Sequence, residues 1–255
     1  MARAILEHMT DETKTIACVL FPGVDPLDLI GPMQPLGFLG HVLPGWRTVA
    51  VGEQLIAYET DGGPLRLTPS HTFAEVPAPD VLVVPGASTP LFRAMSDRVL
   101  TDYVRSAAEH AQIVASVCSG SLLLAAAGLL DGRKATTHWT AFDLLAELGV
   151  HPVRARWVED GRFVTAAGQS AGIDMGLHLV ERLGGTDIAR LTQYAMEYDP
   201  EPPLGRLDWQ QAPHEFFDPF VREWVTDGLA DNPELAASLL ERARAGQALR
   251  QSTAQ

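Results

Sequence analysis

The chain has little positive charge, no basic segment and no long apolar run. Among its 255 residues 19 are Lys or Arg and 32 are Asp or Glu, so the formal net charge is −13 with His uncharged. This balance argues against a nucleic-acid partner, which would need a basic face. No Lys/Arg-rich segment could bind an acidic membrane surface, and no stretch reaches the roughly 18 apolar residues of a membrane span. We therefore expect a soluble, cytoplasmic protein with neither nucleic acid nor membrane as partner.

Cysteine is also scarce, with only Cys18 and Cys118 in the chain. A chain of this length can bury a large core without a disulfide, so we expect both thiols to be reduced. Residues 1–14 contain acids and no apolar core, which argues against a secretory signal. The sequence has no HExxH or CxxC motif and no glycine-rich phosphate loop. We accordingly expect neither a metal nor an organic cofactor.

Short apolar runs alternate with helical patterns through most of the chain. TIACVLF (15–21) and DVLVVPGAS (80–88) are typical of strands buried on both faces. This alternation predicts an α/β fold, a parallel sheet with helices on both faces. A proline-rich stretch then precedes a helical tail with Phe216, Phe217, Phe220 and Trp224, a stripe expected to cover core or a partner subunit. The predicted division is a leader (1–14), a main domain (15–200), and a proline-rich connection with a C-terminal helical extension (201–255).

One stretch, QIVASVCSGSLLLAAAGLLDG (112–132), places Cys118 between a buried strand and a small-residue helix. Ligands of open α/β sheets bind beyond the carboxyl ends of the strands. The helix dipole would favour a thiolate there, and the N–H of Ser119 would suit an oxyanion hole. A free cysteine is also a common core filler. From these residues alone both interpretations stay open, whereas Cys18 lies within a strand and is predicted to be core.

Three motifs in order resemble the ThiJ/PfpI superfamily, which has the flavodoxin-like, class I glutamine amidotransferase-like fold. They are ASVCSGSLLLAAAGLLDGRKATTHW around Cys118, LFPGVDPLDLIGP near the start and SAGIDMGLHLVERL late in the chain. The resemblance covers about residues 15–200. Within the superfamily it is closest to the isocyanide hydratase branch, whose patterns are CTG, LDLTGP and TAGIDFAL.

The resemblance implies a set of site residues. Cys118 would be the nucleophile, Asp28 the carboxyl beside it, and the backbone N–H groups of Ser119 and Ala87 the oxyanion donors. The usual Pro-Gly-Gly of the family is Pro85-Gly86-Ala87 here, so Ala87 would be strained if that position needs a positive φ. Members with peptidase-like sites carry His directly after the cysteine, where this chain has Ser119. A protease is therefore disfavoured.

Each of these side chains also has a structural interpretation. Asp28 could cap a helix beginning near Ile30, and the Ser119 hydroxyl could cap the helix after Cys118 or bond a reaction intermediate. His138, in TTHW, could line the pocket or pack against Trp139. For Asp28 considered without its neighbours the capping role would be favoured, but the motif around it favours the catalytic role.

The resemblance implies an isocyanide as small-molecule substrate, hydrated to an N-substituted formamide through a cysteine thioimidate without a cofactor. It also implies a homodimer. Three other functions stay open: a glyoxalase- or deglycase-like enzyme, a ligand-sensing domain like those of AraC-type regulators, and a redox-sensing thiol. The regulators need a basic DNA-binding domain of about 100 residues, whereas only about 40 residues follow Pro213 and the whole chain is acidic.

Overall fold

A central, mostly parallel sheet organises the computed structural model, which describes residues 13–253. Within that range seven strands form the sheet in the order β10-β11-β7-β6-β1-β2-β5, and only the edge pair β10-β11 is antiparallel. The strands of the sheet are β1 (Lys14–Val19), β2 (Trp46–Gly52), β5 (His71–Thr72), β6 (Val81–Val84), β7 (Ile113–Ser116), β10 (Trp157–Asp160) and β11 (Phe163–Ala166).

Two short pairs lie outside the sheet. A hairpin around Asp61 joins β3 (Tyr58–Glu59) and β4 (Arg66–Leu67), and β8 (Lys134–Ala135) pairs with β9 (His151–Pro152). The central strands β1, β6 and β7 are almost wholly buried because helices cover both faces. This arrangement confirms the predicted α/β fold, and Cys18 lies fully buried in β1.

The helices form two layers. One layer contains α1 (Pro26–Val42), α6 (Ala171–Gly184) and α7 (Thr186–Ala195). The other contains α2 (Thr89–Ser96), α3 (Arg98–His110), α4 (Gly120–Ala126) and α5 (Phe142–Glu147), covered by the C-terminal α8 (His214–Gly228) and α9 (Pro233–Thr253). Among the described helices none is long and apolar enough to cross a membrane. Most of the leader, residues 1–12, lies outside the described residues.

Glycines in the SAGIDMG motif allow α6 to approach α1 closely. A Cβ on Gly176 would lie 2.6 Å from Pro35 Cγ, and one on Gly172 would lie 2.9 Å from a methyl carbon of Val117. Real Cβ atoms do not tolerate such distances, so these positions require glycine. Two of the three motifs thus pack together and fix α1 beside the strand end that carries Cys118.

The C-terminal extension packs into the same hydrophobic core as the sheet. Val221 and Val225 of α8, and Leu229 directly after it, are buried in it. A Cβ on Gly228 would lie 2.4 Å from Phe92 Cβ, so α8 contacts α2 almost backbone to backbone. The aromatic stripe of α8 is divided: Phe216 and Phe220 are exposed, whereas Trp224 packs against the core.

Candidate active site

The chain turns sharply at Cys118, between β7 and α4. Cys118 has φ of 57°, in the left-handed region that non-glycine residues rarely adopt. Its N–H donates to Ala167 O (2.7 Å) and its carbonyl accepts from Thr137 Oγ1 (3.1 Å), so both backbone groups are fixed. A Cβ on Gly120 would lie 2.3 Å from Val84 O, which explains the glycine two residues later. The turn leaves the thiol half-buried at the carboxyl end of the sheet.

Asp28 does not cap the helix that contains it, so the capping interpretation is wrong. The helix begins earlier than predicted because Pro26 is compatible with a first turn and Asp25 caps it. Asp25 Oδ1 accepts from the N–H groups of Leu27 and Asp28 (2.8 and 3.2 Å). The carboxyl of Asp28, fully buried in the first turn, accepts from Gly86 N–H at 3.2 Å. Its other oxygen, Oδ1, has no conventional hydrogen-bond partner among the described residues.

Cys118 and Asp28 line the same cavity, and each perturbs the pKa of the other. Burial raises the pKa of Asp28 well above its ordinary value, and the nearby Asp25 charge raises it further. Burial also raises the pKa of Cys118, and the Asp28 charge adds to this, while the N–H of Ser119 lowers it by bonding to sulfur. The sequence argument for a thiolate from the helix dipole alone is therefore incomplete. Because both pKa values are raised, the pair holds a single proton only at a pH where Asp28 is ionised and Cys118 is not.

Ser119 joins the Cys118 turn to the loop after β6. Its hydroxyl donates to Ala87 O (2.7 Å) and accepts from Ala87 N–H (3.1 Å), so it caps no helix. Both backbone N–H groups expected as oxyanion donors are therefore engaged, that of Ser119 with sulfur and that of Ala87 with this hydroxyl. Ala87 is not in a positive-φ conformation, so the expected strain does not arise. Gly86 is the constrained position, because a Cβ there would lie 2.5 Å from Ser119 Oγ and 2.9 Å from Asp28 Oδ2.

His138 lines the site and also packs against Trp139, with ring centroids 5.8 Å apart. Its Nδ1 lies 2.7 Å from Thr140 Oγ1 and accepts from Thr140 N–H at 3.4 Å. This pattern assigns the proton of the neutral ring to Nε2. Burial lowers the pKa of His138 to about 4, so the ring is uncharged at neutral pH.

These residues surround a cavity of about 200 Å³. Its polar end carries Cys118, Asp28, Ser119 and His138, with Asp25 and Asp61 beside them. Its apolar wall comes from α2, the segment around α5 and α8, and consists of Phe92, Ala141, Leu144, Val221 and Trp224. Sequence reasoning missed Val221 and Trp224, which lie about 100 residues beyond Cys118. The only local signal was the aromatic stripe of α8, which does not specify what it faces.

A larger cavity of about 520 Å³ lies between α1 and β2, lined by residues that include Met33, Phe38, Trp46 and Arg47. Its lining contains neither cysteine nor carboxylate, so the smaller cavity is the candidate site. Within residues 13–253 no group of three or more His, Cys, Asp or Glu side chains is arranged to hold a metal ion.

Several known proteins are similar to this chain over most of its length. Isonitrile hydratase of Pseudomonas putida is 43% identical over 205 residues, 80% of this chain and 86% of that protein. A ThiJ/PfpI family protein from Pseudomonas syringae superposes with a TM-score of 0.76 at 33% identity, covering 91% of this chain and 90% of that one. The transcriptional regulator CdhR of Pseudomonas aeruginosa is 28% identical over 182 residues, and this match covers 67% of this chain but only 51% of the regulator.

The similarity is therefore spread over the sheet, both helical layers and the site, and is not confined to one motif. Residues 14–182, from the first strand to the end of the helix that packs on α1, match the DJ-1/PfpI family model. Together with the turn at Cys118 and the buried carboxyl of Asp28, this match shows that the chain belongs to the DJ-1/PfpI family.

Proposed function

We propose that this protein is an isocyanide hydratase that converts an isocyanide and water into an N-substituted formamide. The observation that carries the proposal is the placement of the Cys118 thiol and the buried Asp28 carboxyl in one cavity that has an apolar wall. The 43% identity to isonitrile hydratase of Pseudomonas putida supports the same reaction. Hydration needs a nucleophile and a group that returns a proton to the same carbon, and this pair can supply both.

In the first step Cys118 sulfur attacks the terminal carbon of the isocyanide. Ionised Asp28 takes the thiol proton and delivers it to that carbon, so a C–S and a C–H bond form as one carbon–nitrogen bond order is lost. The product is a neutral thioimidate on Cys118. Because the proton only moves within the buried pair, the step requires no net charge to enter the cavity.

In the second step water adds to the thioimidate carbon. Asp28, again ionised, takes one proton from the water and passes it to the nitrogen, which leaves a tetrahedral carbon bonded to OH, N and S. The C–S bond then breaks as the C=O bond forms, and the hydroxyl proton passes through Asp28 to sulfur. The formamide leaves and Cys118 regains its proton. The Nε2–H of His138 is suited to donate a hydrogen bond to substrate nitrogen or product oxygen, because no described residue accepts it.

The backbone around Ser119 has a different role in this proposal from a preformed oxyanion hole. The N–H of Ser119 stabilises negative charge on sulfur, both when the thiolate attacks and when it leaves. Its hydroxyl, bonded twice to Ala87, holds the loop of Gly86 against the Cys118 turn. No oxyanion develops in the addition of sulfur to an isocyanide, so that step does not need the N–H of Ala87.

The direct test is hydration of para-nitrophenyl isocyanide, followed by absorbance, with Cys118→Ala as the inactive variant. Wild-type turnover that Cys118→Ala abolishes supports the proposal. Mass spectrometry of a substrate-quenched sample should find an adduct of the intact isocyanide on Cys118. No turnover of any isocyanide by the wild type would refute it.

A ligand-sensing role is the second candidate, because the chain aligns with about half of the regulator CdhR. That role predicts reversible binding of a small molecule in the same cavity with no turnover.

We also propose a homodimer, as implied by the family resemblance. Sedimentation equilibrium checks it, and a monomer at micromolar concentration would contradict it.

A further inference from the structure

Three carboxylates line the active-site cavity without a positive charge to balance them. Asp25 and Asp61 are half-buried beside the buried Asp28, and no Lys or Arg side chain lines the cavity. None of the three forms an ion pair with a described residue.

Neutral donors alone hold these two flanking carboxylates. Asp61 accepts from both the N–H and the hydroxyl of Ser88 (2.5 and 3.0 Å). Asp25 accepts from two helix N–H groups through Oδ1 and from the Gln169 amide through Oδ2 (2.5 Å). Both are therefore fixed at the cavity while their negative charge stays uncompensated.

The rest of the lining adds no cation. His138 is uncharged at neutral pH, and the opposite wall of Phe92, Leu144, Val221 and Trp224 is apolar. An anion entering this cavity would lose hydration and be repelled by these carboxylates, with no cationic side chain to offset either cost. An uncharged apolar body would instead displace water from the wall.

We propose that this cavity selects its substrate by charge: it accepts isocyanides with an uncharged, apolar body and rejects those with a carboxylate or phosphate, with Asp25 and Asp61 as the selecting residues. The substrate class rests on the proposed function. The charge selection itself is a property of access to Cys118 and can be measured without turnover.

The first experiment compares alkylation of Cys118 by iodoacetamide, which is neutral, and by iodoacetate, which is an anion. In both reactions sulfur bonds to the methylene carbon as iodide leaves, so the ratio of the two rates cancels the ionisation of the thiol. Peptide mass spectrometry separates Cys118 from the buried Cys18. The neutral thiol N-acetylcysteine amide gives the reference ratio.

We expect iodoacetamide to be favoured at Cys118 about 10-fold more strongly than at the reference thiol. Asp25→Asn and Asp61→Asn should each lower this preference about 3-fold, because each removes one negative charge. Asn retains the cap and the acceptor oxygen, so the change is confined to charge. Asp102→Asn is the matched control, because Asp102 is exposed on α3 and does not line the cavity. A preference equal to that of the reference thiol, one that all three variants change equally, or no reaction of Cys118 with either reagent would overturn the proposal.

The second experiment uses an ester and acid pair, methyl isocyanoacetate and isocyanoacetate. We expect the ester to have a kcat/KM at least 10-fold higher than that of the anion, and Asp61→Asn to narrow the gap. If neither is hydrated but the alkylation preference is present, the proposed function fails and the charge selection stands. Equal kcat/KM for the two compounds would show that the enzyme does not select by charge.

Discussion

Replacing Asp28 with Asn is expected to make Cys118 easier to ionise and the enzyme slower. Ionised Asp28 raises the pKa of Cys118 through its charge and through the hydrogen bond it accepts from the thiol. Two unit charges in near contact repel by about 4 kcal/mol at an effective dielectric constant of about 20. The neutral amide of Asn removes this repulsion and can donate to sulfur, so the pKa of Cys118 should fall.

Turnover should nevertheless fall by about 10²- to 10⁴-fold, the usual contribution of general acid–base catalysis. A thiolate that forms readily is of no use here if no group returns a proton to the isocyanide carbon. The two effects have opposite signs, which separates this mechanism from one in which Asp28 only positions the thiol. In a purely structural role, turnover would follow the thiolate fraction.

The thiolate is measured by its ultraviolet absorbance against pH, with the Cys118→Ala form of each protein as baseline. Cys18 does not interfere, because burial raises its pKa to about 12. Turnover is measured with para-nitrophenyl isocyanide, and Asp102→Asn controls for the loss of one negative charge. Turnover of Asp28→Asn within a few-fold of wild type, or a raised pKa of Cys118 in that variant, would refute the shared-proton mechanism.

Three further predictions concern the same site. Gly86→Ala should lower kcat/KM by at least 10-fold in the hydration assay, because its Cβ would push Ser119 and Asp28 from their positions; near-normal activity would show that the loop yields freely. Trp224→Ala should extend turnover to bulkier aryl isocyanides and lower kcat/KM for small ones, whereas Phe216→Ala, exposed on the same helix, should change neither. Asp28→Asn should raise the free energy of unfolding at neutral pH by about 1–3 kcal/mol, measured by urea denaturation. The folded-state pKa of Asp28 is raised, so the wild type loses stability only at a pH where the unfolded chain is ionised at this residue. The gain in unfolding free energy should therefore vanish below pH 3.8, where the carboxyl is protonated in both states. A gain that persists there would have another cause.

Local patterns predicted the sheet, whereas the roles of Cys118 and Asp28 came from the family resemblance. Buried parallel strands are read directly from β-branched runs, and the carboxyl end of a strand is where an α/β fold places its ligand. Position at a strand end singled out Cys118 but left it open between nucleophile and core filler, and Asp28 was assigned from the family resemblance of LDLIGP. The chemistry between them was harder to predict, because the pKa of each depends on the burial of both, a property of the packed site.

The apolar wall could not be predicted from sequence for a related reason. Val221 and Trp224 reach the cavity only because α8 lies on α2, at a contact that Gly228 allows by having no side chain against Phe92. One glycine near the end of a helix gives no sign of the partner it meets. The stripe of aromatic residues indicated a buried face, but its partner across 100 residues is set by tertiary packing.

The location of backbone strain gives the strongest link between fold and chemistry. The sequence suggested strain at Ala87, where the family has glycine, yet among the site residues it is Cys118 that has a positive φ. A non-glycine residue in that region costs about 1–2 kcal/mol, and this one persists because its N–H, its carbonyl and the following glycine are all fixed by neighbouring strands and loops. If Cys118 were only a core filler, an unstrained turn with the thiol packed inward would be more stable. The strain instead turns the thiol into the cavity that it shares with the buried carboxyl of Asp28, which is the arrangement that the proposed return of a proton to carbon requires.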